Sequence, residues 1–204
     1  IQIHNEIVGR GLLQEDTILG TSLMGMYAKC GELGKARGVF DELFVRDVAA
    51  WNVLILGYAQ QGQSEEALSC FKQMQNGGFS PEAVTFVCIL KACANIGAID
   101  EGREIHSEIC RRRFEGDVQI GTSLVDMYAK CGSLVDAFYV FDSLPHQNVV
   151  TWGALIGGFV EHDQSLSALL LFDIMEGSGI VPNGVIFLNL MRACSNLGSC
   201  SYSR

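Results

Sequence analysis

The residues that come nearest to a catalytic or metal-binding motif are His106, Ser107 and Glu108, which have the H-x-E form of zinc deaminases. In those enzymes zinc activates a water that attacks the base, and the glutamate transfers the proton. The P-C-x-x-C segment that would complete the zinc site does not follow in this sequence. The signatures G-x-S-x-G, G-x-x-x-x-G-K-[ST] and H-E-x-x-H are also missing. The sequence therefore predicts no catalytic residues, no metal and no cofactor for this chain.

Cysteine is the other residue type here with metal-binding or covalent chemistry. The eight cysteines form no C-x-x-C pair and are spread through apolar stretches. We therefore expect buried free thiols in a reducing compartment rather than disulfides or zinc ligands. The cysteines are Cys30, Cys70, Cys88, Cys93, Cys110, Cys131, Cys194 and Cys200.

The composition is that of a folded, helix-rich chain. Of 204 residues, 49% are hydrophobic and 18% are charged, which excludes a disordered tail, and the content of three prolines favours helices over a β-sandwich. The formal net charge of −9 argues, at first sight, against a nucleic-acid partner. No segment has the roughly 18 to 20 consecutive apolar residues of a membrane span. Because the sequence starts without Met or a leader-like segment, we expect it to be part of a longer protein whose targeting peptide lies elsewhere.

The chain contains an internal repeat with an offset of 101 residues. The hexapeptide Met26–Gly31 recurs at Met127–Gly132. Residues 17–47 match residues 118–148 at 16 of 31 positions without a gap. Within each block, apolar residues recur at helical spacing, and glycine-containing breaks separate one apolar stripe from the next. After one such break, Ser64 is a suitable N-cap for the following helix.

Cutting the chain at equivalent turns gives helical hairpins of 31 or 35 residues. A hairpin of this size cannot bury its apolar face alone, so neighbouring hairpins must stack. We therefore predict an all-α fold, a right-handed superhelical solenoid of helix-turn-helix hairpins that forms one elongated domain. First helices would line its concave side and second helices its outside. The predicted units are 17–47, 48–82, 83–117, 118–148 and 149–183, followed by a partial unit at 184–204 that lacks its second helix.

These repeats resemble those of the pentatricopeptide repeat (PPR) family. The resemblance is carried by Met-Tyr-Ala-Lys-Cys-Gly after Thr-Ser-Leu, by W-N-x-L-I-x-G-Y from Trp51, and by F-x-x-x-L-x-A-C over Phe86–Cys93. The order of unit lengths is similar to that of the plant PLS subclass. The S-type units would be 17–47 and 118–148, the P-type units 48–82 and 149–183, and the L-type units 83–117 and the partial 184–204, with 1–16 as the end of a preceding L-type unit.

The resemblance implies a function in organellar RNA processing. Proteins of this family bind single-stranded RNA with one nucleotide for each repeat, and the PLS subclass implies a site-recognition role in C-to-U RNA editing. The implied partners are single-stranded organellar RNA and editing-factor or deaminase proteins, with no DNA and no membrane. The implied location is the mitochondrion, with the chloroplast as the alternative. This chain is expected not to be an enzyme, although a deaminase-like domain could lie in sequence beyond Arg204.

In the family, the fifth and the last residue of each repeat read the base by hydrogen bonding. By resemblance, Thr with Asp favours G, Thr with Asn favours A, and Asn at the fifth place favours a pyrimidine. Val and Gly side chains cannot hydrogen-bond, so their repeats should read weakly. The implied footprint is 5′-G-pyrimidine-any-A-any-3′, with the RNA parallel to the chain. The RNA-binding pairs are Thr21 with Asp47, Asn52 with Glu82, Val87 with Asp117, Thr122 with Asn148, and Gly153 with Asn183.

Other recurring residues have both a structural and an RNA-contacting interpretation. We expect the aromatic ones to pack at the hairpin seam rather than to stack on bases. The cations on first helices are either solvated or face phosphates, and the run Arg111–Arg113 is expected to be solvated and to complement a helix C-terminus. The aromatic residues are Tyr27, Trp51, Phe86, Tyr128, Trp152 and Phe187, and the first-helix cations are Lys29, Lys91, Lys130 and Arg192.

Charge is unevenly divided between the two kinds of helix. First helices carry those four cations against Asp126 and Glu161, whereas most acids fall on second helices, so the predicted RNA-facing layer is mildly basic. The main alternative function is a helical-repeat scaffold for protein–protein interaction. The mixed 31- and 35-residue spacing does not favour it, because tetratricopeptide repeats have a uniform period of about 34 residues.

Overall fold

The computed structural model describes residues 4, 6, 7 and 10–201, except for the side chains at 14, 15 and 199–201. Every regular element in these residues is a helix, which confirms the all-α prediction. None of the described helices is both long enough and apolar enough to cross a bilayer. The chain divides into two compact units, Ile1–Ala92 and Cys93–Arg204. Their boundary falls within a helix, and the single continuous array stays a prediction.

The first unit is built from two helical hairpins. Helix α2 pairs with α3, and α4 pairs with α5. The first helices of the two hairpins, α2 and α4, also pack against each other, so each first helix has neighbours on two sides. The helices are α1 (Leu12–Glu15), α2 (Thr17–Lys29), α3 (Leu33–Glu42), α4 (Val48–Gln60), α5 (Ser64–Asn76) and α6 (Ala83–Ile96), the last of which contains the unit boundary.

The second unit repeats this arrangement. Helix α8 pairs with α9 and α10 pairs with α11, while the first helices α8, α10 and α12 pack one against the next. Helix α7 packs on α8. The helices are α7 (Ile99–Arg111), α8 (Val118–Lys130), α9 (Leu134–Ser143), α10 (Val149–Glu161), α11 (Ser165–Gly177) and α12 (Gly184–Ser201).

Residues with a left-handed backbone conformation lie in the turns between the two helices of the hairpins. Gly31, Gly62 and Gly132 have φ angles of 78°, 74° and 80°, a region that glycine enters without steric cost. The prediction that Ser64 caps a helix is wrong. Ser64 is already the first helical residue of α5, and its hydroxyl is buried without a hydrogen-bond partner, while Gln63 precedes the helix with no side-chain cap.

Aromatic pairs join each hairpin to the next first helix. The rings of Phe40 and Trp51 meet edge to face at a centroid distance of 4.5 Å, and Phe141 and Trp152 meet in the same way at 4.6 Å. All four side chains are buried. Edge-to-face packing of this kind adds to the free energy of burying the rings. The predicted seam packing is therefore confirmed for both tryptophans, and Tyr27, Phe86 and Tyr128 are buried as well.

Close packing explains the glycine of the repeated Gly-Thr-Ser-Leu sequence. A Cβ atom on Gly20 would lie 2.3 Å from Leu43 Cδ2, and one on Gly121 would lie 2.2 Å from Leu144 Cδ2. Both leucines are buried and follow directly after the second helices α3 and α9. Glycine therefore lets the end of each hairpin close against its own first helix.

Two apolar residues are more exposed than the pattern predicts. Phe187 is 51% exposed, so its assignment to the core is wrong. Its ring lies 6.3 Å from that of Phe172, but the described chain has no second helix after α12 to cover its other side. Helix α12 continues through Gly198, whereas α6 ends before Gly97 at the equivalent place. Met26 is 42% exposed, whereas Met127, its match at the repeat offset, is fully buried.

Candidate functional site

The last residue of each predicted repeat lies at the start of the next first helix. Asp47, Asp117 and Asn148 are the N-caps of α4, α8 and α10, and their side chains accept backbone N–H bonds of 2.8 to 3.1 Å. Asn183 likewise accepts from the N–H of Ile186 at 3.1 Å. These short polar side chains satisfy N–H groups that the first turn leaves unpaired. Each of them is thereby fixed by the helix that it caps.

The fifth residues of the repeats lie half-buried on first helices. Thr21 donates to the Thr17 carbonyl at 2.8 Å, and Thr122 donates to the Val118 carbonyl at 2.7 Å. Val87 and Gly153 are also half-buried, and neither side chain offers a hydrogen-bonding group.

Asn52 and Glu82 are brought together directly. Asn52 Nδ2 lies 3.4 Å from Glu82 Oε2. The buried hydroxyl of Thr85 donates to Asn52 Oδ1 at 2.6 Å and accepts the backbone N–H of Glu82 at 3.0 Å. Thr85 therefore links the two members of this pair and holds the Asn52 carboxamide in one orientation.

Thr122 and Asn148 are linked through a second buried threonine. Thr151 Oγ1 lies 2.8 Å from Thr122 Oγ1 and 3.2 Å from Asn148 Oδ1, and its side chain is fully buried. The Thr122 proton is used within this network, on either the Val118 carbonyl or Thr151, so Thr122 offers a ligand a hydrogen-bond acceptor. Asn148 Oδ1 takes three donors, so its Nδ2 is left to donate. The pair thus presents one acceptor beside one donor.

The other predicted pairs lack this bridging hydroxyl. At the place of Thr151, the repeat that follows Thr21 has Ala50 and the repeat that follows Gly153 has Ile186, both fully buried. Within the described residues, Thr21 and Asp47 form no hydrogen bond with each other. Val87 lies in the first unit and Asp117 in the second. Sequence reasoning missed Thr85 and Thr151, although a hydroxyl residue at the third place of two repeats was visible in the sequence.

The four predicted cations are all exposed, but they are not equivalent. Lys130 forms an ion pair of 2.8 Å with Asp126, one helical turn earlier. Lys29 has Gly25 at that place and forms no ion pair within the described residues, which leaves its charge available. Lys91 and Arg192 are exposed on α6 and α12. The four positions therefore provide modest positive charge on first helices.

Two of the three arginines at the end of α7 form ion pairs with a nearby glutamate of the same helix. Glu108 forms ion pairs with both Arg111 and Arg112, and Arg112 Nε lies 2.5 Å from Glu108 Oε1. Arg113 has φ 61° and closes the helix in the left-handed region. These contacts fit the expected solvated, helix-ending role.

His106 pairs with an aromatic residue. Its Nδ1 lies 2.9 Å from Tyr128 Oη, and burial lowers the pKa of His106 and raises that of Tyr128 to about 12. Within the described part of the chain, no three His, Cys, Asp or Glu side chains gather as metal ligands would. The rings of His4 and Tyr27 meet in a similar way at 5.5 Å, so the first unit also contains a histidine–tyrosine contact.

The described cysteines are free thiols, but they are not uniformly buried. Cys70, Cys88 and Cys93 are buried, and Cys131 is half-buried. The prediction of burial is wrong for Cys30, Cys110 and Cys194, which are exposed because they lie at a helix end or on a solvent-facing turn of a helix. The side chain of Cys200 lies outside the described residues.

Comparison with known proteins identifies the repeats. Models described as PPR repeat family and PPR repeat match residues 46–95 and residues 21–48, 122–149 and 150–180, respectively, which together include more than half of the chain. The chain is 40% identical over 196 residues to the pentatricopeptide repeat-containing protein At4g30700 of Arabidopsis thaliana, covering 96% of the chain and 25% of that protein.

Two further relatives from Arabidopsis thaliana carry an organelle in their names. The chain is 38% identical to the chloroplastic pentatricopeptide repeat-containing protein At4g18520, covering 100% of the chain and 33% of that protein. It is 37% identical to the mitochondrial protein At2g03880, covering 96% of the chain and 31% of that protein. The chain thus spans about a quarter to a third of the length of these curated relatives.

Solved structures share the fold. The crystal structure of the pentatricopeptide repeat protein PPR10 from maize covers 87% of this chain and 27% of its own, with a TM-score of 0.71 and 22% identity. PPR10 in complex with an 18-nucleotide psaJ RNA element covers 94% of this chain and 29% of its own, with a TM-score of 0.74 and 20% identity. At this identity the likeness shows the arrangement of helical hairpins.

Proposed function

The chain belongs to the PPR repeat family, and from this premise we propose that it binds single-stranded RNA with one nucleotide for each complete repeat. The observation that carries the proposal is the polar network at Thr122, Thr151 and Asn148. It supports base reading because these hydrogen bonds hold one acceptor and one donor in place. The complex of PPR10 with RNA supports it as the example of a protein with the same fold.

The network favours some bases over others. An acceptor on Thr122 beside a donor on Asn148 complements the Watson–Crick edges of adenine and cytosine, which set an amino group beside a ring-nitrogen acceptor. Guanine and uracil place an N–H where Asn148 already donates, so they are disfavoured. The family resemblance then selects adenine for this repeat.

The remaining repeats complete the proposed footprint. Asp47 uses Oδ1 to cap α4, and its Oδ2 has no hydrogen-bond partner among the described residues, so it is free to accept from the N–H groups of guanine. Asn52 with Glu82 is assigned a pyrimidine by resemblance alone. Val87 and Gly153 bring no polar side chain. The proposed RNA is 5′-G-pyrimidine-any-A-any-3′.

Electrostatics limits the affinity to be expected from this chain. The net charge is −9, and only Lys29, Lys91, Lys130 and Arg192 are cations on the predicted RNA-facing helices. Few phosphate contacts give weak non-specific binding and a shallow salt dependence. Specific affinity must therefore come mainly from base contacts.

We further propose the cellular role. The alternating unit lengths support membership in the PLS subclass and a role as the site-recognition part of C-to-U editing, with catalysis supplied by a deaminase. The chloroplastic and mitochondrial relatives support a plant organelle as the location, with the mitochondrion as our assignment. This chain itself brings RNA binding and no enzymatic activity to that process.

Equilibrium binding tests the proposal. Fluorescence anisotropy would compare single-stranded RNA that carries the footprint with the same RNA annealed to its complement and with RNA of scrambled order. We expect binding to the single-stranded footprint RNA, weaker binding to the scrambled RNA, and little to the duplex, because pairing occupies the Watson–Crick edges. Equal binding to all three, or none at all, would overturn the proposal.

A further inference from the structure

Two second helices of the second unit expose large apolar side chains in rows. On α11, Leu166, Leu170 and Ile174 are 67%, 64% and 56% exposed, and their spacing of four residues places them along one stripe. On α9, Val135, Phe138 and Tyr139 are exposed in the same manner. We call these six residues the apolar face. Both helices flank and pack on α10.

The first unit supplies an internal comparison. At the repeat offset of 101 residues, Leu166, Leu170 and Ile174 correspond to Glu65, Ser69 and Gln73 on α5, while Val135, Phe138 and Tyr139 correspond to Gly34, Arg37 and Gly38 on α3. Glycine or polar residues at these six places are therefore compatible with the same hairpins. Folding does not require apolar residues at these positions, so the apolar face needs another explanation.

The two rows are expected to be neighbours. In the first unit, Arg37 on α3 donates to Gln73 Oε1 on α5 at 3.2 Å. The equivalent residues in the second unit are Phe138 and Ile174, so a polar contact between consecutive second helices is replaced by two exposed apolar side chains. The apolar face thus extends across two helices.

The charged residues of α9 and α11 themselves are all acidic. No Lys or Arg occurs between Lys130 and Arg192, whereas Asp142, Asp173 and Glu176 are exposed on α9 and α11 and form no ion pair within the described residues. Asp136, the remaining acid of α9, is paired with Arg103 of α7 at 3.1 Å. In a dimer with a two-fold axis through this face, the acids of one copy would lie beside the same acids of the other copy, and their like charges would repel. RNA would be repelled by them.

We propose that the apolar face binds another protein through a basic amphipathic segment, a helix with apolar residues on one side and Lys or Arg at its edges. Such a segment would bury the six side chains and place its cations beside Asp142, Asp173 and Glu176. This surface lies on second helices, whereas the proposed base-reading residues lie on or before first helices, so the inference does not depend on RNA binding.

A designed peptide tests the inference. The probe is a fluorophore-labelled amphipathic peptide of Leu and Lys, roughly 15 residues or four helical turns long. Its control peptide has Glu in place of every Lys. We expect saturable binding of the Lys peptide and no binding of the Glu peptide. Equal binding of both peptides would overturn the proposal, because a non-specific apolar surface would then suffice.

The matched variant is Leu166→Glu/Leu170→Ser/Ile174→Gln, which copies the residues of α5 and should fold as well as the natural chain. It should raise the Kd for the Lys peptide on the order of ten-fold or more, as expected when central anchors are removed, and leave RNA affinity unchanged. An unchanged peptide Kd would contradict the inference. Sedimentation of the natural chain that shows a dimer, abolished in this variant, would also overturn it in favour of self-association.

Discussion

Replacing Asn148 with Asp changes the hydrogen bonds that one proposed base-reading position offers while keeping its place in the fold. Asn148 Oδ1 accepts from the N–H groups of Val150 and Thr151 at 2.8 and 3.0 Å, and a carboxylate oxygen accepts in the same way. Asp47 and Asp117 cap equivalent helices. The added negative charge lies at a helix N-terminus, where it is worth about 0.3 to 1 kcal/mol. The melting temperature of Asn148→Asp should therefore rise by about 1 to 4 °C.

The base preference of this position should reverse. In the proposed complex, Asn148 Nδ2 donates to the ring nitrogen of adenine, whereas aspartate has no proton to donate and would accept from the N–H groups of guanine. A correct base contact is worth about 1 to 3 kcal/mol of discrimination. We therefore expect the natural chain to prefer A over G at the fourth position by about 5- to 150-fold in Kd, and Asn148→Asp to prefer G over A to a similar degree.

Anisotropy titrations with RNAs that differ only at this base measure the switch, and Asn183→Asp is the matched control. Asn183 also caps a helix and gains the same charge, but its partner Gly153 has no side chain for reading. The control should keep the preference for A at the fourth position. A variant Asn148→Asp that melts as expected but still prefers A would refute the assignment of Asn148 to base reading.

Three further predictions test the structure of the chain. Thr151→Val removes the buried bridging hydroxyl and should cost about 1 kcal/mol in the free energy of unfolding; unaltered thermal unfolding would contradict the network. Gly158→Ala would place a Cβ 2.3 Å from Ala129 Cβ and should lower stability by about 1 to 3 kcal/mol, whereas Gly153→Ala on the same helix meets only an ordinary contact of 3.8 Å and should be tolerated. Burial lowers the pKa of His106, so the unfolded chain takes up its proton more readily and stability should fall as pH drops through about 6.5. His106→Gln should flatten that slope in thermal melts from pH 8 to 5, and an equally steep slope would assign the loss to other groups.

Much of the fold was predictable because each repeat encodes its own hairpin. The apolar stripes, the glycine breaks and the two tryptophans recur at a fixed offset, and the structure buries Trp51 and Trp152 against equivalent phenylalanines. The predictions that proved wrong concern residues whose burial depends on a helix elsewhere in the sequence. Phe187 matches Phe86 in sequence, yet it is half exposed because no described second helix follows α12.

The candidate site was predictable in part. Family resemblance names the residues that cap each first helix, and the structure explains why short polar side chains suit those places. The bridging hydroxyls of Thr85 and Thr151 could not be assigned from the sequence, since their contacts form only when the next first helix packs beside the proposed reading residue. Ser64 shows the same difficulty at a turn, because one residue of shift converts a cap into a buried helical position.

Base reading by this chain is tested most directly by its affinity for RNAs with single base changes in the footprint 5′-G-pyrimidine-any-A-any-3′. Each position would be changed in turn at constant salt, and Kd measured by fluorescence anisotropy. We expect clear losses of affinity for changes of the G and the A, and little effect at the third and fifth positions, where Val87 and Gly153 offer no hydrogen bond. The same Kd for every RNA would contradict base reading by these repeats.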